Sequence, residues 1–340
     1  MYFLSFGHKT NKGACLSKKL CMLLFVVLIS VSVCGCGTKY SLPYEVHNPV
    51  SAYNVGVMEE AAATYPSFAE DLCVVAGNVN TGDLEMGVTE AAGLFDLNDA
   101  ETLYTKNPNA QMHPASLTKI MTALVALKYA SPDLMLTASE NVKIDEPGAQ
   151  LMGLKPGDQM TLDQALHVLL IYSANDVAIL IAEGIGGTTE SFCDLMNEEA
   201  LSIGATNCHF TNPNGLTQDE HYVTAYDMYL IFRAALQYSL FNEIIQMPVY
   251  ETVYYGADGT QKELSIESTV LYTKGGVNVP DQITVIGGKT GTTSAAGHCL
   301  ILYTRDNSGA PYIAVIMNAD SAETLYSQMN ELLEYISNGS

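Results

Sequence analysis

The sequence predicts an α+β protein, in which an antiparallel sheet is covered by helices and an all-helical lobe is inserted in the middle of the chain. Strand-like segments occur early, from residue 91, and late, after residue 248, and a mostly helical block lies between residues 132 and about 235. The chain closes with an amphipathic helix that must bury one face. With 340 residues, 48% of them hydrophobic, the chain can form a large core.

The first elements follow from local patterns. "AAGLFDLNDAETLYTKN" (91–107) alternates in hydrophobicity around an Asn-Asp turn, which predicts a β-hairpin. Residues 120–129 carry apolar side chains at helical spacing and predict a buried helix. Thr161 and Gln164 have the spacing of a capping box, which opens the next helix. "DVAILIAEGI" (176–185) predicts another helix, which ends at a Gly-Gly pair.

The second half of the chain is predicted to contain two more helices, then a series of strands and a last helix. "SFCDLMNEEALSIG" (191–204) and "TAYDMYLIFRAAL" (224–236) predict two more helices, and "VYETVYYGADGTQKELSIES" predicts a hairpin about Asp258-Gly259. "ITVIGGKTGTT", "GHCLILYTRD" and "PYIAVIMNAD" predict three further strands. The last helix, "ETLYSQMNELLEYI" (323–336), has an acidic polar face, so we expect it to pack on the sheet and not to bind anionic lipid.

Composition narrows the classes of partner. Acidic residues outnumber basic ones 37 to 15, and such a surface repels phosphate backbones, so we expect no nucleic acid partner. The sequence contains no CxxC, HExxH or histidine cluster, and we expect neither a metal nor a cofactor. Cys73 and Cys299 lie in apolar runs and are predicted to be buried thiols. Cys193 and Cys208 could pair in an oxidising compartment, although their spacing does not require it.

Residues 1–35 predict an export signal that is not part of the fold. Four lysines precede the uncharged run Leu20–Val33, whose 14 residues are too few for a comfortable membrane span. The run ends in "VCGCG" (33–37), which resembles a bacterial lipobox with Cys36 as the lipidated new N-terminus. We therefore expect an extracytoplasmic protein that an N-terminal lipid anchors to the outer face of the cytoplasmic membrane. The alternatives are an ordinary cleaved signal and an uncleaved anchor.

The predicted signal is followed by two further segments. Residues 36–66 contain three prolines among many small or polar residues and are interpreted as a tether. Residues 67–340 are interpreted as the folded domain, in which the stretch 67–90 has no role that the sequence assigns.

Three short motifs follow one another along this domain. They are the S-x-x-K motif Ser116–Lys119, the S-x-N motif Ser173–Asn175 and the K-T-G motif Lys289–Gly291. Alone, each has an ordinary interpretation, as a helix cap with a solvated lysine, as a helix N-cap or as the end of a strand. Their joint occurrence in this order, each in a fitting context, favours a catalytic site.

The set of motifs resembles that of the penicillin-recognising serine enzymes, which comprise D,D-peptidases and serine β-lactamases. From about residue 91 to the end, "PASLTKIMTALVAL", "LKPGDQMTLDQAL", "YSANDVAILIAE", "FTNPNGL", "HYVTAYD" and "GGKTGTT" are similar to blocks of the D-alanyl-D-alanine carboxypeptidase family. The resemblance implies a β-lactamase/D,D-peptidase-like fold with a five-stranded sheet, and a catalytic domain over 67–340. It also implies removal of the terminal D-alanine from peptidoglycan stem pentapeptides through a Ser116 acyl-enzyme, with β-lactams as inhibitors.

The residue types suit acyl transfer. Positions i and i+3 share a helix face, so Lys119 can reach the hydroxyl of Ser116, and a neutral lysine can take the proton of that hydroxyl. Apolar surroundings and a second cation, Lys289, both lower the pKa of a lysine. By resemblance, Ser173 relays a proton between Lys119 and the leaving amine, and Asn175 orients Lys119 and binds the substrate amide.

The K-T-G strand is expected to bind the substrate. By resemblance it takes the extended peptide against its edge, as in strand addition, and Gly291 permits the close approach. The hydroxyls of Thr290 and Thr292, with the K-T-G lysine, suit the terminal carboxylate, and the Thr292 N–H is the second oxyanion donor. Many relatives also use an arginine there, but Arg233 and Arg305 are the only arginines of this chain and neither falls where that residue is expected.

Other functions of the same fold are weighed against this one. A class A β-lactamase uses a Glu-x-x-Leu-Asn motif for fast deacylation, and the nearest stretch here, "EEALS" (198–202), lacks the asparagine. A non-hydrolytic penicillin-binding sensor or cell-wall lipoprotein could keep all three motifs for acylation without turnover, and an esterase is also possible. Release of D-alanine from a D-Ala-D-Ala peptide separates an enzyme from a sensor.

Overall fold

The predicted early hairpin and the three late strands meet in one sheet. A computed structural model of the chain describes residues 71–80, 82 and 84–338, so the predicted signal, Cys36 and the tether lie outside the described residues. The strands are β1 (Ala91–Asp96), β2 (Glu101–Lys106), β3 (Met135–Thr137), β4 (Gln159–Thr161), β5 (Val249–Tyr255), β6 (Gln261–Glu267), β7 (Ile283–Thr293), β8 (Gly297–Asp306) and β9 (Pro311–Ala319). The helices are α1 (Thr118–Tyr129), α2 (Leu162–His167), α3 (Asn175–Gly186), α4 (Thr189–Ser202), α5 (Ala225–Ala235), α6 (Ser239–Ile245) and α7 (Ala322–Asn338).

The main sheet is five-stranded and antiparallel, with the order β2-β1-β9-β8-β7, which confirms the predicted α+β fold. Its central strands are buried on both faces. Leu300 and Leu302 of β8 pack with α7 on one face, and Ile301, between them, packs on the other face in the cluster that holds α1 and α5. In this three-layer arrangement α5 packs on β1 and β9, and the turn Ala115–Leu117 ahead of α1 packs on β7, which remains as an edge strand.

The prediction of an all-helical lobe over 132–235 is wrong in one respect. Strands β3 and β4 lie in this stretch and pair with each other, and β4 continues through Gln159 and Tyr255 to the β5–β6 hairpin, which gives a second sheet of four strands. Each of the two missed strands has three residues and turns only one buried side chain inward, Leu136 or Met160. Such short strands show no alternation that a sequence pattern could reveal.

Residues 77–79, within the stretch to which the sequence assigned no role, lie along the free edge of β2. Val79 and Thr105 exchange backbone hydrogen bonds of 2.9 and 3.0 Å, and the Thr105 hydroxyl donates to Gly77 O at 2.8 Å. An uncovered edge strand presents unpaired N–H and C=O groups to other chains, and a covering segment removes that liability. No helix in the part of the chain that the structure describes is long and apolar enough to cross a membrane.

Candidate active site

A short 3-10 turn, Ala115–Leu117, leads into α1 and carries Ser116 at the head of that helix. The turn is strained, because Ala115 has φ +47°, a left-handed conformation that L-residues rarely adopt. Such strain persists only where the surroundings enforce it, and it is common at functional sites. The helix then places Lys119 one turn after the serine, with Nζ 2.8 Å from Ser116 Oγ.

Lys119 is completely buried. Its Nζ also lies 2.7 Å from Asn175 Oδ1 and 2.6 Å from Asn214 O, so three oxygen atoms surround the nitrogen. Burial, and secondarily the positive charge of Lys289, lower the pKa of Lys119 well below its ordinary value. The sequence pattern predicted such a lysine beside a serine hydroxyl, and the structure shows the two atoms in contact.

The S-x-N motif reaches the same place from the helical lobe. A π-helical turn, Val168–Tyr172, ends at Ser173, whose φ of +69° is again left-handed, and Asn175 then begins α3. The Ser173 hydroxyl lies 2.9 Å from Nζ of Lys289, and that ammonium also donates to Thr290 O at 2.8 Å. Burial lowers the pKa of Lys289 to about 7. The Ser173 hydroxyl is thus hydrogen-bonded to Lys289, and the proton relay between Lys119 and the leaving amine that the family resemblance implied stays a prediction.

Strand β7 packs directly on the turn that holds the serine. A Cβ at Gly291 would lie 3.0 Å from both Pro114 O and Ser116 N, so a side chain at this position would crowd the backbone of the turn. Beside it opens a cleft of about 930 Å³, whose lining residues include Ser116, Ser173, Asn175, Thr290, Gly291 and Thr292. The structure therefore brings together the site residues that the three motifs predicted, Lys119 and Lys289 lying buried just behind the wall of the cleft.

A buried hydrogen-bond chain that the sequence interpretation did not single out holds the strained turn. The Thr211 N–H donates to Nδ1 of His221 at 3.0 Å, which leaves Nε2 as the donor to the Thr118 hydroxyl at 2.9 Å. That hydroxyl donates in turn to Ala115 O at 2.8 Å. Burial lowers the pKa of His221 to about 3, so the ring stays neutral as the chain requires. The block "HYVTAYD" was the only signal for this histidine.

A carboxylate fixes the wall of the cleft on the side of the helical lobe. Asp176, directly after the S-x-N asparagine, accepts the backbone N–H groups of Met152, Gly153 and Leu154 at 2.7 to 3.0 Å. The Asn175 N–H donates to Gln150 O at 2.8 Å. Asp176 thereby positions the segment that lines the cleft beside Asn175, and the sequence carried no signal for that role.

Replacement of Gly215 by alanine is expected to destabilise the protein severely and to abolish acylation of Ser116. A Cβ at Gly215 would overlap the Ala115 carbonyl, which the hydrogen-bond chain holds in place. Gly204 is the matched control, since it has the same φ of +86° but an added Cβ there meets nothing within 4 Å. We expect Gly204→Ala to cost about 1–2 kcal/mol, the strain of the left-handed backbone alone, and Gly215→Ala to cost at least about 3 kcal/mol. Urea unfolding of both variants measures the difference, and equal losses would contradict the account.

Both arginines of the chain lie away from the cleft. Arg233 and Arg305 line a separate cavity of about 490 Å³, which shares no lining residue with the cleft. Arg233 is 3.8 Å from a carboxylate oxygen of Asp71, and Arg305 lies over the ring of Tyr303 at 5.9 Å. Neither residue thus supplies the arginine that the family resemblance led us to expect beside the substrate carboxylate.

The described cysteines are all free thiols. Cys73 and Cys299 are fully buried, as predicted, and burial raises the pKa of the Cys299 thiol to about 12. Cys193 and Cys208, which could have paired, are unpaired, and burial raises the pKa of both. Within 71–80 and 84–338, no three His, Cys, Asp or Glu side chains form a group that could hold a metal ion.

Comparison with known proteins finds one family model and several relatives that share the same description. The family model described as D-alanyl-D-alanine carboxypeptidase matches residues 84–321. The chain is 32% identical to the D-alanyl-D-alanine carboxypeptidase DacF of Bacillus subtilis over 250 residues, which are 72% of this chain and 61% of the relative. It is 30% identical to DacA of Escherichia coli, with 61% of this chain and 51% of the relative covered. The chain thus spans between half and two thirds of the length of these relatives.

A solved structure supports the same fold. The crystal structure of an evolved penicillin-binding protein homologue from Mycobacterium tuberculosis superposes with a TM-score of 0.67 at 27% identity, over 78% of this chain and 97% of that one.

Proposed function

We propose, from the premise that this chain belongs to the D-alanyl-D-alanine carboxypeptidase family, that it is a serine-type carboxypeptidase that removes the terminal D-alanine from peptidoglycan stem pentapeptides. The observation that carries the proposal is the contact of 2.8 Å between Nζ of a fully buried Lys119 and Oγ of Ser116. No cofactor takes part in the proposed reaction.

Lys119 is the proposed general base for acylation. A neutral amine has two N–H donors and one lone pair, so it can donate to Asn175 Oδ1 and Asn214 O and direct the lone pair to the Ser116 hydroxyl. Ser116 loses its proton to Lys119 as its oxygen attacks the carbonyl carbon of the D-Ala-D-Ala bond. The backbone N–H groups of Ser116 and Thr292 are the proposed donors to the oxyanion.

Ser173 and Lys289 are proposed to handle the proton of the leaving group. As the C–N bond breaks, Ser173 gives its hydroxyl proton to the amine of D-alanine and takes a proton from the Lys289 ammonium, 2.9 Å away. Lys119 is then protonated and Lys289 is neutral. In deacylation, water takes the place of the amine and passes its proton through Ser173 to Lys289, while Lys119 returns its proton to Ser116. A Lys289 pKa of about 7 suits a group that must both give and accept a proton near neutrality.

The substrate is proposed to add as a further strand to the main sheet. Strand β7 is the edge of that sheet and lines the cleft with Thr290, Gly291 and Thr292. An extended peptide can therefore pair with its free backbone groups, as in strand addition. The same edge would hold a β-lactam, which mimics the D-Ala-D-Ala end and acylates Ser116.

Two measurements test the proposal. Mass spectrometry after incubation with a penicillin should show an adduct on Ser116, and an N-acylated L-Lys-D-Ala-D-Ala peptide should release free D-alanine. An adduct without D-alanine release would indicate a sensor, and rapid loss of the adduct would indicate a β-lactamase. No carboxylate of "EEALS" is placed for the latter, since neither Glu198 nor Glu199 lines the cleft and Glu199 is paired with Lys128.

The site of action and the anchor complete the proposal. Peptidoglycan lies outside the cytoplasmic membrane, so the enzyme is proposed to be extracytoplasmic, with residues 1–35 as its signal, residues 36–66 as its tether, residues 67–340 as its catalytic domain and Cys36 as its lipidated residue. Palmitate labelling of the wild type and of Cys36→Ala tests the anchor. Both the label and the membrane retention should disappear in the variant. A variant that stays on the membrane without label would show that a lipid on Cys36 is not the anchor.

A further inference from the structure

We infer that His298, together with the Thr292 hydroxyl, holds the terminal carboxylate of the substrate. The inference rests on the proposed function, because a carboxypeptidase must recognise a peptide end that carries a free carboxylate. It assigns to this chain the positive group that its two arginines do not provide.

The surface of the cleft offers one candidate for this role. Among the described residues that line it, His298 is the one whose side chain can carry a positive charge. The side-chain nitrogens of Lys119 and Lys289 are fully buried behind the wall and already hydrogen-bonded. Arg233 and Arg305 line a different cavity. A carboxylate in the cleft therefore meets in this histidine the accessible side chain that is able to carry a positive charge.

The main sheet holds His298 beside the residues expected to bind the peptide end. His298 of β8 is paired with Thr292 of β7, and side chains of directly opposed residues project from the same face, which Thr290 shares two positions away. Nδ1 of His298 lies 3.4 Å from Thr292 Oγ1, and the ring is half-buried. An imidazole offers an N–H donor in either protonation state, and the imidazolium adds positive charge.

The charged residues that line the cleft favour the same position for the terminal carboxylate of the substrate. Glu146 is the acidic residue among those that line the cleft, and it belongs to the segment of Gln150, whose carbonyl accepts the Asn175 N–H. Glu146 thus lies on the wall formed by the helical lobe. Repulsion from Glu146 and attraction to His298 both direct the negatively charged end of the peptide toward the wall formed by β7 and β8.

The test compares two substrates, N-acylated L-Lys-D-Ala-D-Ala and the same peptide with a C-terminal amide. The measured quantity is the ratio of kcat/KM for the acid to kcat/KM for the amide. We expect His298→Leu to lower this ratio by about 10- to 100-fold through the acid substrate alone, and His298→Arg to retain it. Arg305→Leu is the matched control and should keep the wild-type ratio, because Arg305 lies in the other cavity.

The outcomes separate the inference from the function on which it rests. If the wild type releases no D-alanine from the acid substrate, the proposed function fails. If it releases D-alanine and His298→Leu leaves the ratio unchanged, the inference alone is overturned. Should His298→Leu not fold, His298→Gln, which keeps a donor but cannot be charged, must show a smaller fall of the same ratio, and no fall again overturns the inference.

Discussion

Replacing Lys119 by methionine is expected to slow the acylation of Ser116 by a penicillin about a thousand-fold or more, because the hydroxyl then has no base to take its proton. Methionine has a similar length and fills the buried site without a charge, so the fold should persist. The Lys119 amine touches Ser116 Oγ, Asn175 Oδ1 and Asn214 O, and only the first of these contacts lies on the reaction path. The measurement is the second-order rate constant of adduct formation, followed by mass spectrometry.

Lys143→Met provides the control for this substitution. Lys143 is an exposed lysine paired with Glu140 on the surface, so its loss should leave the acylation rate within about two-fold of wild type. The wild-type rate should also rise with pH through the lowered pKa of Lys119, since only the neutral amine accepts a proton. A Lys119→Met protein that folds and is acylated at the wild-type rate would exclude Lys119 as the base.

Much of the fold could be predicted because its signals are local. The β1–β2 hairpin follows from alternation about an Asn-Asp turn, and the capping box of α2 is present with both of its hydrogen bonds, between Thr161 and Gln164. The β3–β4 pair could not be predicted in this way. Its strands are stabilised by pairing with each other and with the distant β5–β6 hairpin, not by a pattern of their own.

The same distinction between local patterns and tertiary contacts applies to the residues of the candidate site. The residues that touch the reacting atoms lie in short motifs, so Ser116 and Lys119 could be predicted from their spacing. The residues that hold those motifs in place contact them across long sequence separations, such as the 103 positions between Thr118 and His221. A hydrogen bond of this kind depends on tertiary packing, and a single sequence contains no local pattern that predicts it.

Replacing Lys289 by methionine is expected to stabilise the protein while it impairs catalysis. Lys289 is fully buried, and burial lowers its pKa from 10.5 to about 7. Below pH 7 the folded protein holds a buried ammonium, whose desolvation opposes folding. Between about pH 7 and pH 10.5 the folded state has released this proton and the unfolded state has not, so the wild-type free energy of unfolding rises with pH.

The methionine variant lacks this titration, so its gain in free energy of unfolding over wild type should fall as the pH rises. At pH 6 we expect it to be more stable than wild type by about 1–4 kcal/mol, partly offset because the Ser173 hydroxyl and the Thr290 carbonyl lose a donor. The advantage should shrink as the pH approaches 10, while release of D-alanine is reduced at every pH. Urea unfolding at several pH values, with Lys143→Met as the control, measures the difference. A gain that does not change with pH would show that Lys289 carries no buried charge in the folded protein.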